Sequence, residues 1–208
     1  MAWRVSWLAV KGREQADVFS ALGLEETGEM VGDSLRPFAT CQTPTGWLLI
    51  LSNKFDYVVP SRLALVSKNA EAIGVHADDD YLLSEIRVFR DGVEVWMLGH
   101  DGEKDVGKTT TAGTPPDWLP EIIARLQAET DADDDPEFKV DFVYDAPFEA
   151  AMRICGFRHD EGCEGMEDYP DMFELTPIGQ PRAPIPTRTP PQPRKSGGGF
   201  LSWLFGRR

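Results

Sequence analysis

Asp91-Gly92 lies between two runs of alternating character, Ile86-Arg87-Val88-Phe89-Arg90 and Val93-Glu94-Val95-Trp96-Met97-Leu98. The dipeptide tolerates the positive φ that a tight two-residue turn requires, and period-two patterning on both sides is that of paired strands. The middle of the chain is therefore committed to an antiparallel hairpin. That rules against an all-helical fold and against a purely parallel sheet.

The rest of the chain has to pack around that hairpin. Trp3, Val5, Trp7 and Ala9 alternate with Arg4, Ser6 and Leu8, predicting a first strand that stops at Lys11-Gly12. Ala16, Phe19 and Leu22, with Val18 beside them, predict a helix over 13–22 closed by Gly23. Residues 25–45 are polar and broken by glycine and proline, so they read as a connection. The apolar run Gly46–Leu51 reads as a strand in the middle of the sheet. A helix over 60–72 with Leu63, Leu65 and Val66 inward leads to a short strand at Ile73–Ala77. Pro116 or Asp117 opens a helix to about Thr130, with Trp118, Ile122, Ile123 and Leu126 on one face. Phe138–Tyr144 alternates like a strand, and Pro147–Cys155 suits a helix with Phe148, Ala151 and Met152 inward. Met172–Leu175 reads as a last, edge strand. Strands that do not strictly alternate with helices predict an α+β fold. It comprises one domain over residues 1–178, with a mainly antiparallel sheet and flanking helices.

Composition changes sharply after that domain. Six prolines fall between Pro181 and Pro193, three glycines follow at Gly197–Gly199, and the chain ends in Phe200-Leu201-Ser202-Trp203-Leu204-Phe205-Gly206-Arg207-Arg208. Residues 179–199 cannot bury enough apolar surface to fold alone and read as a flexible linker. Residues 200–208 read as an apolar-basic hook, with Phe200, Leu201, Trp203, Leu204 and Phe205 for a groove or a lipid boundary and Arg207 and Arg208 for phosphate or carboxylate. The formal charge of −14 divides unevenly: 6 of the 21 basic residues and none of the 35 acids lie beyond Gln180, leaving 15 bases against 35 acids upstream. A body at −20 repels phosphate backbones, which argues against nucleic acid, and it steers a basic partner inward. Three cysteines suit a reduced compartment, and no run is long enough to span a bilayer, so a cytoplasmic or peripheral inner-membrane location is expected.

Two motifs carry chemistry. Gly102-Glu103-Lys104-Asp105-Val106-Gly107-Lys108-Thr109 resembles the Walker A loop of the P-loop NTPase family over these eight positions. That resemblance implies backbone amides around Gly102 and Gly107 on phosphate, Lys108 on the β/γ charge and Thr109 on magnesium. The family's loop runs into a helix, whereas Thr109-Thr110-Thr111-Ala112-Gly113-Thr114-Pro115-Pro116 opposes one. Cys155, His159 and Cys163 recur at four-residue spacing and form a candidate metal set, with His76 or His100 as a fourth ligand, but Gly156 and Gly162 interrupt a helix through them. Trp47, Trp96 and Trp118 are assigned to the interior. The sequence thus predicts a non-catalytic protein-interaction domain without a cofactor, an adaptor or an immunity-like acidic binder of bacterial type, with a basic protein partner and weak membrane-surface contact through the hook. Nucleotide-binding and metal-binding functions remain the alternatives.

Overall fold

The computed structural model describes residues 4–31, 36–133 and 140–179. The predicted α+β class holds: one nine-stranded sheet runs antiparallel at every pairing, with two helices on each face. In chain order the strands are β1 (Arg4–Lys11), β2 (Leu24–Val31), β3 (Phe38–Gln42), β4 (Leu48–Ser52), β5 (Glu71–Asp78), β6 (Leu83–Arg90), β7 (Val93–Asp101), β8 (Thr109–Gly113), β9 (Phe157–Arg158), β10 (Gly162–Cys163) and β11 (Met172–Pro177). The sheet order is β2-β11-β3-β4-β1-β5-β6-β7-β8, and β9 pairs with β10 separately.

The helices are α1 (Gln15–Leu22), α2 (Pro60–Val66), α3 (Leu119–Ala132) and α4 (Ala146–Cys155). Leu8, Val10, Ile50 and Ala72 pack with Val18 and Phe19 of α1 and Leu63 and Val66 of α2. Trp7, Leu49, Val75 and Leu98 pack with Leu126 of α3 and Phe148 and Ala151 of α4 on the opposite face. Two covered faces explain why β1 is buried at every interior position, including Ser6, instead of alternating as its sequence suggested. Gly74 is where α2 sits closest: a Cβ there would lie 2.5 Å from Val58 Cγ1 and 2.7 Å from Leu63 Cδ1. Only glycine lets the helix rest that near the sheet.

The central hairpin forms as expected, with Asp91 at φ 51° and Gly92 at φ 81° in its turn. The helix predicted over 13–22 closes on Gly23 in the left-handed conformation, although Ala16 faces solvent. Several expectations are corrected. Residues 25–45 contain β2 and β3; β2 is buried only at its ends, so its strand pairing leaves no apolar alternation to read. Phe138–Tyr144 does not form a strand where it is described: Phe142–Asp145 is one turn of 3-10 helix. The Asp141 carboxylate accepts from Val143 N–H at 3.2 Å, offering the backbone a local alternative to a ladder. The last strand, β11, is not at an edge but between β2 and β3. The helix begun at Pro60 stops at Val66 and leaves Leu65 exposed. Trp47 and Trp96 are buried in the core, and Trp118 packs partly buried against it. Among the described residues, no helix is long and apolar enough to cross a membrane.

Candidate functional site

The sheet has two edges, and they differ in chemistry. β2 presents Glu25, Glu26 and Glu29, the charges that keep an edge from recruiting another strand. β8 runs Thr-Thr-Thr-Ala-Gly, with no charge, proline or bulge between Thr109 and Gly113, and nearly all of it is exposed. β-branched residues favour extended backbone, so the run that breaks the Walker A helix is what builds this strand.

The register fixes which backbone groups β8 leaves open. Thr114 N–H donates to the Val95 carbonyl at 2.9 Å, and Gly102 N–H donates to the Leu82 carbonyl at 3.0 Å. With Gly99 opposite Thr110 and Met97 opposite Ala112, these bonds place the odd-numbered residues of β7 toward β8 and the even-numbered ones toward β6. Thr110 and Ala112 therefore bond inward. Thr109 and Thr111 turn their N–H and C=O groups outward, where no strand among the described residues meets them.

Beside this edge, on the sheet face that α1 and α2 cover elsewhere, lies a groove of about 600 Å³. Phe55, His76, Glu85, Met97 and Thr110 line its floor, and Asp101 with Lys104, Asp105 and Lys108 of the 102–108 loop line one end. Phe55 packs at a tilt, 5.2 Å from the His76 ring, whose pKa is lowered by burial and only partly restored by Glu85, 3.8 Å away. Arg87 forks onto both Glu85 and Glu94, so the floor holds a bonded ionic ladder across β6 and β7. Among the groove's lining residues, Asp101 and Asp105 pair with Lys104 and Lys108, and Glu85 pairs with Arg87.

The phosphate-loop residues all fall in this region, but their donors are already engaged. Gly107, at φ 72°, gives its N–H to Asp141 Oδ2 at 2.9 Å. Lys108 Nζ pairs with Asp105 at 2.7 Å, Lys104 pairs with Asp101, and Gly102 bonds Leu82. Thr109 opens a strand, so no helix dipole points into the loop. His100 clamps the assembly from beneath: its Nδ1 lies 2.7 Å from the Lys108 carbonyl, which only accepts, so Nδ1 carries the proton. Its Nε2 lies 3.2 Å from Asp141 Oδ2, with both side chains buried. The loop is thus tied to an internal carboxylate and presents β8 on a fixed base. Millimolar Mg-ATP is expected to leave the melting temperature within about 1 °C of its starting value. A rise of several degrees, lost in Lys108→Ala, would instead identify phosphate binding.

The second candidate set is placed differently. Cys155 ends α4, Gly156 turns left-handed at φ 70°, and His159 and Cys163 lie on the β9–β10 hairpin, so no helix aligns them. Among the described residues no three His, Cys, Asp or Glu side chains are grouped to hold a metal ion. His159 packs edge-on to Phe148 at 4.7 Å, and its pKa is lowered chiefly by burial. Burial pushes Cys41, which the spacing did not include, and Cys155 up to about 12, with Cys163 adding to the rise in both. All three are free, buried thiols. Asp78 is buried against Arg4 at 3.2 Å, Asp79 accepts from the Tyr144 hydroxyl at 2.7 Å, and Glu161 lies 3.5 Å from Arg158. The hook residues Phe200, Leu201, Trp203, Leu204, Phe205, Arg207 and Arg208 lie outside the described residues.

Sequence reasoning missed Thr109 and Thr111 as an edge, and the groove floor with them. The Thr-Thr-Thr run was the available signal. No family profile, no curated protein and no solved structure matches the chain.

Proposed function

We propose that this protein is an interaction domain that accepts an extended, basic segment of a partner protein as a tenth strand on β8. The observation that carries the reading is the outward-facing backbone of Thr109 and Thr111 on an uncharged edge beside an open groove. Strand addition supplies affinity through main-chain hydrogen bonds, and alternate side chains entering a flanking groove supply selectivity. The strongly negative charge of the body favours lysine and arginine over acidic residues in the incoming strand. An adaptor or an immunity-like binder would use such a surface.

Two outward residues offer four backbone hydrogen bonds, each worth about 1 kcal/mol net. With electrostatic help, a short peptide should bind at roughly 10–500 μM. The test uses an acetylated, amidated (Val-Lys)5 peptide and its (Val-Glu)5 counterpart, titrated calorimetrically at low and high salt. We expect the lysine peptide to bind, salt to weaken it and the glutamate peptide not to bind. Thr111→Pro should cut the affinity at least tenfold while leaving the melting temperature nearly unchanged, because that N–H bonds nothing in the sheet. Thr110→Pro, which removes a bond to β7, should destabilise the protein. Equal binding of the two peptides, or full binding by Thr111→Pro, would refute the reading.

A further inference from the structure

We propose that the last nine residues of this same chain, Phe200–Arg208, occupy the β8 edge and its groove within one molecule, so that the protein covers its own binding site until a partner displaces them. The inference rests on the strand-addition reading above and names its resident competitor.

Three observations converge on this occupant. The first is side-chain pattern. Laid beside β8 with period two, the segment puts Leu201, Trp203, Phe205 and Arg207 on one side and Phe200, Ser202, Leu204 and Gly206 on the other. The first set meets a groove whose apolar floor is Phe55 and Met97 and whose Thr109 end carries Asp101 and Asp105 beside Lys104 and Lys108. Because those carboxylates lie at the Thr109 end of β8, matching Arg207 to them makes the added strand antiparallel to β8, the stronger pairing mode. The Lys104 and Lys108 ammonium groups pair with Asp101 and Asp105 at exposed positions, and an arginine can displace such pairs at little cost.

The second observation is reach. β11 ends at Pro177, and β11 and β8 stand second and ninth in the sheet, seven strand spacings apart. At about 4.8 Å per spacing that is roughly 34 Å. Residues 180–199 are twenty in number and proline-rich, and such a segment extends to about 60 Å at ~3.1 Å per residue. The connection can therefore cross the sheet with length to spare.

The third is charge. The chain beyond Gln180 carries six basic residues and no acid, against 15 bases and 35 acids before it. Attached by a linker of this length, the segment has an effective concentration of about 1 mM at the groove. If its intrinsic affinity resembles that of other short added strands, it fills the site most of the time.

The test measures a fluorescein-labelled peptide of sequence Gly199–Arg208 by anisotropy against full-length protein. The proteins are wild type and a chain carrying Leu201→Ser, Trp203→Ser and Phe205→Ser, each with and without Thr111→Pro. We expect the serine-substituted chain to bind the labelled peptide about tenfold more tightly than wild type, because the wild-type site is mostly occupied. Adding Thr111→Pro should abolish binding in both. The ratio should persist when protein concentration is lowered tenfold. Equal affinities in wild type and the serine-substituted chain would overturn the proposal, and a wild-type dimer that dissociates on dilution would overturn the single-molecule arrangement. Equal affinities accompanied by pelleting of only the wild-type chain with phosphatidylserine vesicles would assign the segment to lipid instead. Retained, Thr111-dependent binding of (Val-Lys)5 by the serine-substituted chain would show that the strand-addition reading survives such a failure; its loss would show that the reading itself has failed.

Discussion

Trp7→Ala is expected to lower unfolding stability by about 3–5 kcal/mol, the range for removing a large aromatic side chain from a well-packed interior. Trp7 lies on β1, paired to Leu51 of β4 and Val75 of β5, and is 1% exposed. Its ring meets Phe157 of β9 edge-to-face at 5.1 Å and 89°. It therefore joins the centre of the sheet to the small β9–β10 hairpin, and nothing nearby can collapse into its volume without moving β9. Natural domains have only about 5–15 kcal/mol in total, so the variant should melt roughly 6–20 °C lower. Urea unfolding should show a lower midpoint with unchanged slope, which separates lost stability from a changed unfolded state. Pairing Trp7→Phe with Phe157→Leu in a double-mutant cycle should reveal about 0.5–1.5 kcal/mol of coupling for the ring contact. A loss under about 1.5 kcal/mol for Trp7→Ala would mean that the hairpin is held to the sheet by other contacts.

That centre was legible because its signals are local. Asp91-Gly92 names its own turn, Gly23 and Gly156 close α1 and α4 in the left-handed conformation, and prolines open α2, α3 and α4. What stayed hidden depends on partners far along the chain. β11 lies between β2 and β3, and its pairing of Leu175 with Phe38 joins residues more than a hundred positions apart. No window of sequence around Met172 contains that information. β2 hid for a different reason: its middle faces solvent, so pairing and not burial defines it.

The candidate site was half legible in the same sense. Gly102, Gly107, Lys108 and Thr109 were singled out, and Lys108 and Thr109 do line the groove, but the loop's amide and ammonium donors are turned to other partners. The motif's spacing records a tight loop with a left-handed glycine, which phosphate binding and strand connection both require. The discriminating fact is that the Gly107 amide already bonds a carboxylate thirty-four residues away. Cys155, His159 and Cys163 were read as one set from their spacing, but no helix runs through them, and another thiol that acts on Cys155, Cys41, comes from β3 on a distant part of the sequence.

The β9–β10 hairpin also carries the second large expected effect. Arg158→Ala should cost about 2–3 kcal/mol at pH 7, somewhat below the 3–5 kcal/mol typical of breaking a buried ion pair, because the partner carboxylates are about one-third exposed. The guanidinium, with 10% of its side chain exposed, lies 3.1 Å from Asp145 and 2.7 Å from Asp160, and sits over the Phe148 ring at 5.6 Å. It ties the start of α4 to the hairpin. Burial raises the Asp145 carboxyl, and Arg158 is the chief force opposing that rise; burial also pushes Asp160 upward, but Arg158 outweighs it and holds that carboxyl low. Without the arginine both should shift upward.

The sign of the pH dependence follows. In the wild type, the depressed Asp160 contributes stability above its unfolded-state value of about 4, and that contribution fades as pH falls through its lower folded value. In Arg158→Ala, carboxyls raised above their unfolded values cost stability at neutral pH, and protonation relieves the cost as pH falls through those raised values. The difference between wild type and variant should therefore be largest near pH 7 and shrink toward pH 4, measured by urea unfolding at each pH. Asp145→Asn in the Arg158→Ala background should recover about 1 kcal/mol at pH 7 by removing one unpaired carboxylate. Arg158→Lys should recover less than half of the loss, since one ammonium cannot fork onto Asp160 and still reach Asp145. A deficit that stays constant from pH 7 to pH 4 would show that Arg158 acts through its packing on Phe148 alone, and the ionic account of the hairpin would have to be abandoned.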